Sequence, residues 1–171
     1  GQAHWYLATR IKPAGNFDIE LDQSHYCKSI IKKYLDAAGS KKITQHHSTP
    51  LAFDFVPTIE DCSIDEDASK ILEREYNIDY ASCMGSLIYL SMTRCDITFA
   101  VNKLAKFSKR PGKVHFKAML HVLRYLRDNC LVGSKFYSNT MESPITRMLT
   151  AEHIQQSHPF FTFSDSSWNN D

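Results

Sequence analysis

The sequence predicts an α+β fold: an N-terminal β-hairpin and helix, a three-helix bundle, and a C-terminal pair of strands. Three observations predict it. Strand-like runs lie near both ends of the 171-residue chain, helical periodicity dominates residues 79–130, and the breaks between the helical runs are short enough for antiparallel neighbours.

The first unit covers residues 1–38. His4-Trp5-Tyr6-Leu7-Ala8-Thr9-Arg10-Ile11 and Phe17-Asp18-Ile19-Glu20-Leu21 read as two strands, and Lys12-Pro13-Ala14-Gly15-Asn16 between them has turn chemistry. Asp22 is placed to cap a helix. Tyr26, Ile30, Ile31, Tyr34 and Leu35 then recur at helical spacing until Gly39. Residues 39–78 read as a linker and an acidic loop. Ser48-Thr49-Pro50 and Val56-Pro57 suit extended chain. Glu60, Asp61, Asp65, Glu66, Asp67, Glu73 and Glu75 suit a solvated loop with one short helix at its end.

Residues 79–130 carry the bundle. A first helix runs Tyr80 to Met92, with Met84, Leu87, Ile88 and Leu90 inward. Thr93-Arg94-Cys95 breaks it. Asp96 caps a second helix that reaches Ser108, with Ile97, Val101, Leu104 and Ala105 inward. Pro111-Gly112 breaks again, and a third helix from Lys113 to Asp128 turns Phe116, Met119, Leu120, Leu123 and Leu126 inward. Residues 131–159 form a connection in which Ser134-Lys135-Phe136-Tyr137 reads as a strand. Within residues 160–171, Phe160-Phe161-Thr162-Phe163 is a second strand, delivering Ser164-Asp165-Ser166-Ser167-Trp168 at its end.

An apolar fraction of 43% with 23% charged residues belongs to a folded chain rather than a disordered one. No apolar run approaches the ~18 residues of a membrane helix, so no membrane partner is expected. Cys27, Cys62, Cys83, Cys95 and Cys130 are widely spaced and contain no C-x-x-C pair. They read as reduced thiols of an intracellular protein, cytoplasmic or nuclear and not secreted. His46-His47 is the best isolated metal-like pair, but adjacent residues do not easily face one ion. Nucleophilic chemistry at Cys83 or Cys95 would need an oriented base that the sequence does not show.

The net charge of +1 conceals a segregation: the 31 residues from Ile97 to Arg127 contain no acid, yet hold Lys103, Lys106, Lys109, Arg110, Lys113, Lys117, Arg124 and Arg127. Lys103, Lys106, Lys109 and Arg110 can share one helical side, and Lys113 and Lys117 are one turn apart. Such a stripe suits a phosphate backbone, whose condensed counterions are released on binding. It also suits a solvated face neutralised by the acidic loop. Phe99, Phe107, Phe116 and Tyr125 interleave the stripe as core residues or as stacking platforms.

Several blocks now combine. Tyr80-Ala81-Ser82-Cys83-Met84-Gly85-Ser86-Leu87-Ile88-Tyr89-Leu90, Thr93-Arg94-Cys95-Asp96-Ile97 and Ala100-Val101-Asn102 resemble the copia-type retrotransposon reverse-transcriptase signature. His115-Phe116-Lys117-Ala118 and Val122-Leu123-Arg124-Tyr125-Leu126 resemble its next helix. His4-Trp5-Tyr6-Leu7, Leu21-Asp22-Gln23 with Tyr26, and Thr49-Pro50-Leu51 resemble earlier blocks, and Phe163-Ser164-Asp165-Ser166-Ser167-Trp168 the opening strand of the linked RNase H. Two departures stand out: the family usually has Gly where this chain has Ala8, and Pro where it has Cys95.

The resemblance implies a copia-type polyprotein segment comprising the end of the reverse-transcriptase palm, a thumb-like bundle and the start of an RNase H-like sheet. It implies a primer-grip hairpin with Tyr6, Leu7 and Ala8 at the primer terminus, the rival being a plain core hairpin. Ala81, Gly85 and Tyr89 would form a track along the duplex minor groove, the rival for Gly85 being tight helix packing. Lys103, Lys106, Lys113 and Arg124 would meet phosphates. Asp165 resembles the first RNase H carboxylate, a metal ligand whose site needs further acids. The fragment is expected to bind no cofactor itself, with Mg²⁺ serving the full-length enzyme. The polymerase aspartates would precede Gly1 and the other RNase H acids would follow Asp171, so the chain alone is expected to be catalytically inactive. Expected partners are an RNA–DNA hybrid or duplex and the missing palm and RNase H portions. The alternatives are an inactive retroelement remnant and a stand-alone basic nucleic-acid-binding helical module.

Overall fold

A computed structural model of the chain describes residues 4–15, 17–36, 46–53, 55 and 57–137. It is α+β, as the sequence predicts. The sheet is antiparallel, ordered β1 (Trp5–Tyr6), β2 (Thr9–Pro13), β3 (Ile19–Asp22) and β4 (Ser134–Phe136).

The run 4–11, expected as one strand, is itself a tight hairpin. Tyr6 pairs with Thr9, and Leu7 and Ala8 make the turn with φ of 44° and 59°. Both central residues at positive φ is the geometry whose twist matches a two-residue hairpin, but neither residue favours it. The Tyr89 hydroxyl donates to the Leu7 carbonyl and helps hold the turn from outside. The second hairpin turn falls where Pro13-Ala14-Gly15 foretells it, with Gly15 at φ 81°. Ala8→Gly is therefore expected to stabilise the fold by about 0.5–1 kcal/mol, the relief of left-handed strain exceeding the added freedom of the unfolded chain. Thermal melting checks this: an unchanged or lowered midpoint would mean that the turn carries no strain.

Helix α1 (Ser24–Ile30) continues as a π-helical turn over Ile31–Leu35 and buries Cys27, Ile30, Tyr34 and Leu35. Asp22 accepts the Ser24 N–H at 2.7 Å and lies 2.6 Å from the Lys12 ammonium. Partial burial opposes its ionisation, but Lys12 and Ser24 outweigh that and hold its carboxyl down at about 2.

The acidic stretch departs from the expected solvated loop. A 3₁₀ turn (Ile59–Asp61) leads to an eleven-residue helix α2 (Glu66–Tyr76). Asp65 caps it by accepting the Ala68 N–H at 2.7 Å, and Asn77 ends it at φ 52°. Its acids Glu66 and Asp67 occupy the first turn, where the helix dipole favours them. Leu72 and Tyr76 face the core, and Tyr76 stacks on Phe116 at 5.0 Å between centroids.

Helices α3 (Tyr80–Leu90), α4 (Cys95–Ala105) and α5 (Lys113–Asp128) form the predicted bundle, with α1 and α2 against it. Met84, Leu87, Leu90, Ile97, Val101, Leu104, Phe116, Met119, Leu120, Leu123 and Leu126 are buried. Ile88 instead faces outward, 46% exposed. Asp96 is not the cap of α4: Arg94 holds that position, and Asp96 lies in the first turn with its carboxylate engaged by Arg94.

After α5 the chain turns back to the N-terminal sheet. Ser134 pairs with Leu21 and Phe136 with Ile19, so this strand does not begin a separate C-terminal sheet. Gly133 makes the return possible, since a Cβ there would lie 2.6 Å from the Leu21 carbonyl oxygen. The expected strand Phe160–Phe163 and Asp165 lie outside the described residues. No helix among the described residues is long and apolar enough to cross a membrane.

Candidate nucleic-acid interface

The Thr93-Arg94-Cys95-Asp96 block is a clamp built on two buried residues, Thr93 and Arg94. Arg94 is 1% exposed. Its Nε donates to Asp96 Oδ1 at 2.9 Å, Nη2 to Asp96 Oδ2 at 2.7 Å, and Nη1 to the Asn129 carbonyl at 2.8 Å. The Tyr125 hydroxyl donates to Asp96 Oδ2 at 2.8 Å. Thr93 donates to Gln23 Oε1 at 2.7 Å and its carbonyl accepts from Ser134 Oγ at 2.6 Å. The α3–α4 turn is thereby tied to the end of α5, the start of α1 and strand β4.

That anchoring fixes α3 relative to the Leu7-Ala8 turn. Tyr89 packs edge-on against Tyr26 at 5.2 Å and bonds the Leu7 carbonyl. Tyr6, Leu7, Thr9, Ile11, Leu21, Gln23, Tyr89, Met92 and Thr93 line a groove of about 280 Å³. Its rim is apolar and open: Tyr6 is 67%, Leu7 64% and Met92 72% exposed. Further along α3, Ala81 and Gly85 are exposed, and a Cβ built on Gly85 meets nothing within 4 Å. Gly85 is therefore no close-packing residue among the described residues. The turn and the α3 face, separate candidates in the sequence, meet through Tyr89.

The basic residues are only partly neutralised. The acidic segment folds back on the α4–α5 junction, where Ser63 N–H donates to the Arg110 carbonyl at 3.2 Å and Ser63 Oγ to the Pro111 carbonyl at 2.7 Å. It places Glu75 3.8 Å from Lys113. Among the described residues, Lys103, Lys106, Lys109, Lys117 and Arg124 have no carboxylate within ion-pair distance. Lys103 instead lies over the Phe99 ring at 5.3 Å.

Residues 46–53 form a strap across α4 and α5. His47 stacks on His121 at 3.8 Å between centroids, His121 Nε2 donates to the Thr49 carbonyl at 2.9 Å, and His46 Nδ1 lies 3.1 Å from Asp128. Among the described residues no group of three or more His, Cys, Asp or Glu is placed to hold a metal ion. Burial pushes the Cys83 thiol up to about 12, which removes it as a nucleophile.

The sequence comparisons bear on this arrangement. The chain is 46% identical over 48 residues to a retrovirus-related Pol polyprotein from transposon RE1 of Arabidopsis thaliana, a match covering 28% of this chain and 3% of that protein. It is 31% identical over 108 residues to the Pol polyprotein from transposon TNT 1-94 of Nicotiana tabacum, covering 63% and 8%. The chain is a homologue of retrotransposon Pol polyproteins. An uncharacterized mitochondrial protein of Arabidopsis thaliana is 28% identical over 142 residues, covering 82% of this chain and 52% of that one. The chain thus spans a small part of the Pol polyproteins it matches and about half of the mitochondrial protein. No family model and no solved structure matches it.

In this Pol homologue the signature residues divide by role. Thr93, Arg94 and Asp96 hold the frame, while Ala81 and Gly85 stand on the outer face of α3. His115 was not singled out from the sequence. It is fully buried, its Nδ1 accepts the Gly112 N–H at 3.0 Å, and its ring stacks on Phe107 at 4.1 Å. Burial holds its pKa below the usual imidazole range, against a weaker upward pull from Asp61. Its spacing of three after Gly112 was the available signal. The strap histidines were visible only as an unlikely metal pair, because the stack with His121 is a tertiary contact.

Proposed function

We propose that this Pol homologue is the thumb region, with the adjoining palm hairpin, of a copia-type reverse transcriptase, and that it grips the template–primer duplex. The observation that carries the reading is the Tyr89 contact. It makes one surface of the Leu7-Ala8 turn and the open α3 face, the two places where the family resemblance expects primer and minor groove to lie. A helix face bearing Ala81 and Gly85 admits sugar edges close to its backbone, and Tyr89 adds a flat apolar contact. Lys103 on α4 and Lys106 at its C-terminal end, without a carboxylate partner among the described residues, would meet phosphates, with Lys113, loosely held by Glu75, adding to them. On this reading the chain positions nucleic acid for chemistry performed by other parts of a polyprotein.

Binding of a short RNA–DNA hybrid measured against salt tests this. With roughly four phosphates neutralised, log K falls with log salt at a slope of about −3.6. Changing Lys103, Lys106 and Lys113 to Ala flattens the slope by nearly one unit per lost contact, equally for all sequences. A slope near zero in the parent protein would remove the electrostatic basis of the proposal.

A further inference from the structure

Between the strap and α5 lies a second concentration of positive charge. Arg124 has no carboxylate partner among the described residues, and its Nε is buried without a hydrogen bond. His47, on the strap, likewise has a buried Nε2 with no hydrogen-bond partner among the described residues. The His47 ring stacks on His121, three residues before Arg124 on the same helix, and Arg127 follows one turn later. His121 Nε2 is committed to the Thr49 carbonyl. Among the described residues Asp128 is the one acid facing the cluster, and it is shared by His46 at 3.1 Å and Arg127 at 3.0 Å. The local balance therefore stays positive, with two buried nitrogens lacking a hydrogen bond among the described residues, one on the ring stacked on His121 and one three residues after His121 on α5.

A buried donor without a partner costs about 1–3 kcal/mol, and a guanidinium fork matches the oxygens of a phosphate. We infer that Arg124 and His47 form a phosphate-binding site between the strap and α5. It takes the phosphate group of a nucleic-acid backbone or of a smaller phosphorylated ligand. One oxyanion would accept from Arg124 and from His47 Nε2 together, and would offset the mutual repulsion of Arg124 and Arg127. The cations' own titration agrees. Burial first, then His121 and Arg124, hold His47 below its usual range, and burial and then Arg127 do the same to Arg124. A bound anion would reverse both. The site goes beyond the duplex surface proposed above, because it recruits the strap, and it stands whether or not the α3 face binds a duplex.

The test is a titration of the full chain with inorganic phosphate at pH 7, against chloride at matched ionic strength, followed through the imidazole resonances of His47 and His121. Expected are saturable shifts with phosphate alone and a raised His47 pKa. Arg124→Gln should weaken binding at least about tenfold, Arg124→Lys should fall between, and Lys70→Gln on α2 should change nothing. If Arg124→Gln fails to fold by circular dichroism, His47→Gln supplies the test from the strap, followed through the remaining His121 resonances. Equal shifts with chloride, or undiminished affinity in a folded Arg124→Gln or His47→Gln protein, would overturn the site. A hybrid duplex that displaces phosphate identifies the backbone as the source. Phosphate binding untouched by saturating duplex identifies a smaller ligand. Either outcome supports the site, and a chain that binds phosphate but no duplex would sink only the thumb reading.

Discussion

Arg94→Ala is expected to destabilise the protein by about 2–4 kcal/mol, because it removes a buried guanidinium with its three hydrogen bonds and leaves the Asn129 carbonyl and the partly exposed Asp96 without their donor. Arg94 makes two bonds to Asp96 and one to the Asn129 carbonyl from a position 1% exposed. Domains are typically stable by only about 5–15 kcal/mol, so this single change takes a large share of the total. Arg94→Lys should be intermediate, since an ammonium cannot reproduce the planar fork. Asp96→Asn should cost less, about 1–3 kcal/mol, because Asp96 is partly exposed and the amide keeps one acceptor. Denaturant unfolding of the four proteins decides the matter, and a parent-like midpoint for Arg94→Ala would show that the clamp does not hold the fold. The pair also has a pH signature. Burial opposes ionisation of Asp96, but Arg94 and Tyr125 outweigh it and lower its pKa in the fold. Its contribution is present above the ordinary carboxylate range and is lost as pH falls through the folded value.

What could be read from the sequence follows from how each element is stabilised. Helices α3, α4 and α5 were legible because their buried positions are almost all apolar and recur at helical spacing, as with Leu87 and Leu90 or Phe116, Met119 and Leu123. Helix α2 read as shorter than it is because its acids outnumber the core-facing Leu72 and Tyr76, although the cap at Asp65 and the stop at Asn77 were both written in residue type. The Leu7-Ala8 turn could not be read, since neither residue prefers positive φ and a bond from Tyr89, 82 residues away, helps hold it. Strand β4 was read as a strand but assigned to the wrong sheet, because a three-residue segment carries no information about its partner. The candidate surface divides in the same way. Ala81, Gly85 and Tyr89 were legible as one helical face, while their union with the hairpin turn and the packing of the strap on His121 are tertiary facts.

Gly85→Leu separates folding from binding at that face. In a helix interior Gly is about 0.8–1 kcal/mol less favourable than Ala, and Leu is among the good helix formers. A Cβ at Gly85 meets no described atom within 4 Å apart from its own helix backbone, so a larger side chain projects outward without disturbing the core. The variant should therefore melt higher than the parent, the gain reduced by the apolar surface it exposes. If α3 lies against a duplex, the same side chain holds the helix away from the sugar edges. Affinity for an RNA–DNA hybrid should then fall about tenfold or more, a loss of at least about 1.4 kcal/mol. The salt slope should stay where it was, because no phosphate contact is removed. Gly85→Ala should show the stability gain with a smaller loss of affinity. Higher stability with unchanged affinity would place the duplex elsewhere on the molecule. Lower stability would mean that Gly85 is required by the helix itself. Only a more stable protein that binds more weakly, at an unchanged salt slope, is what a minor-groove track predicts.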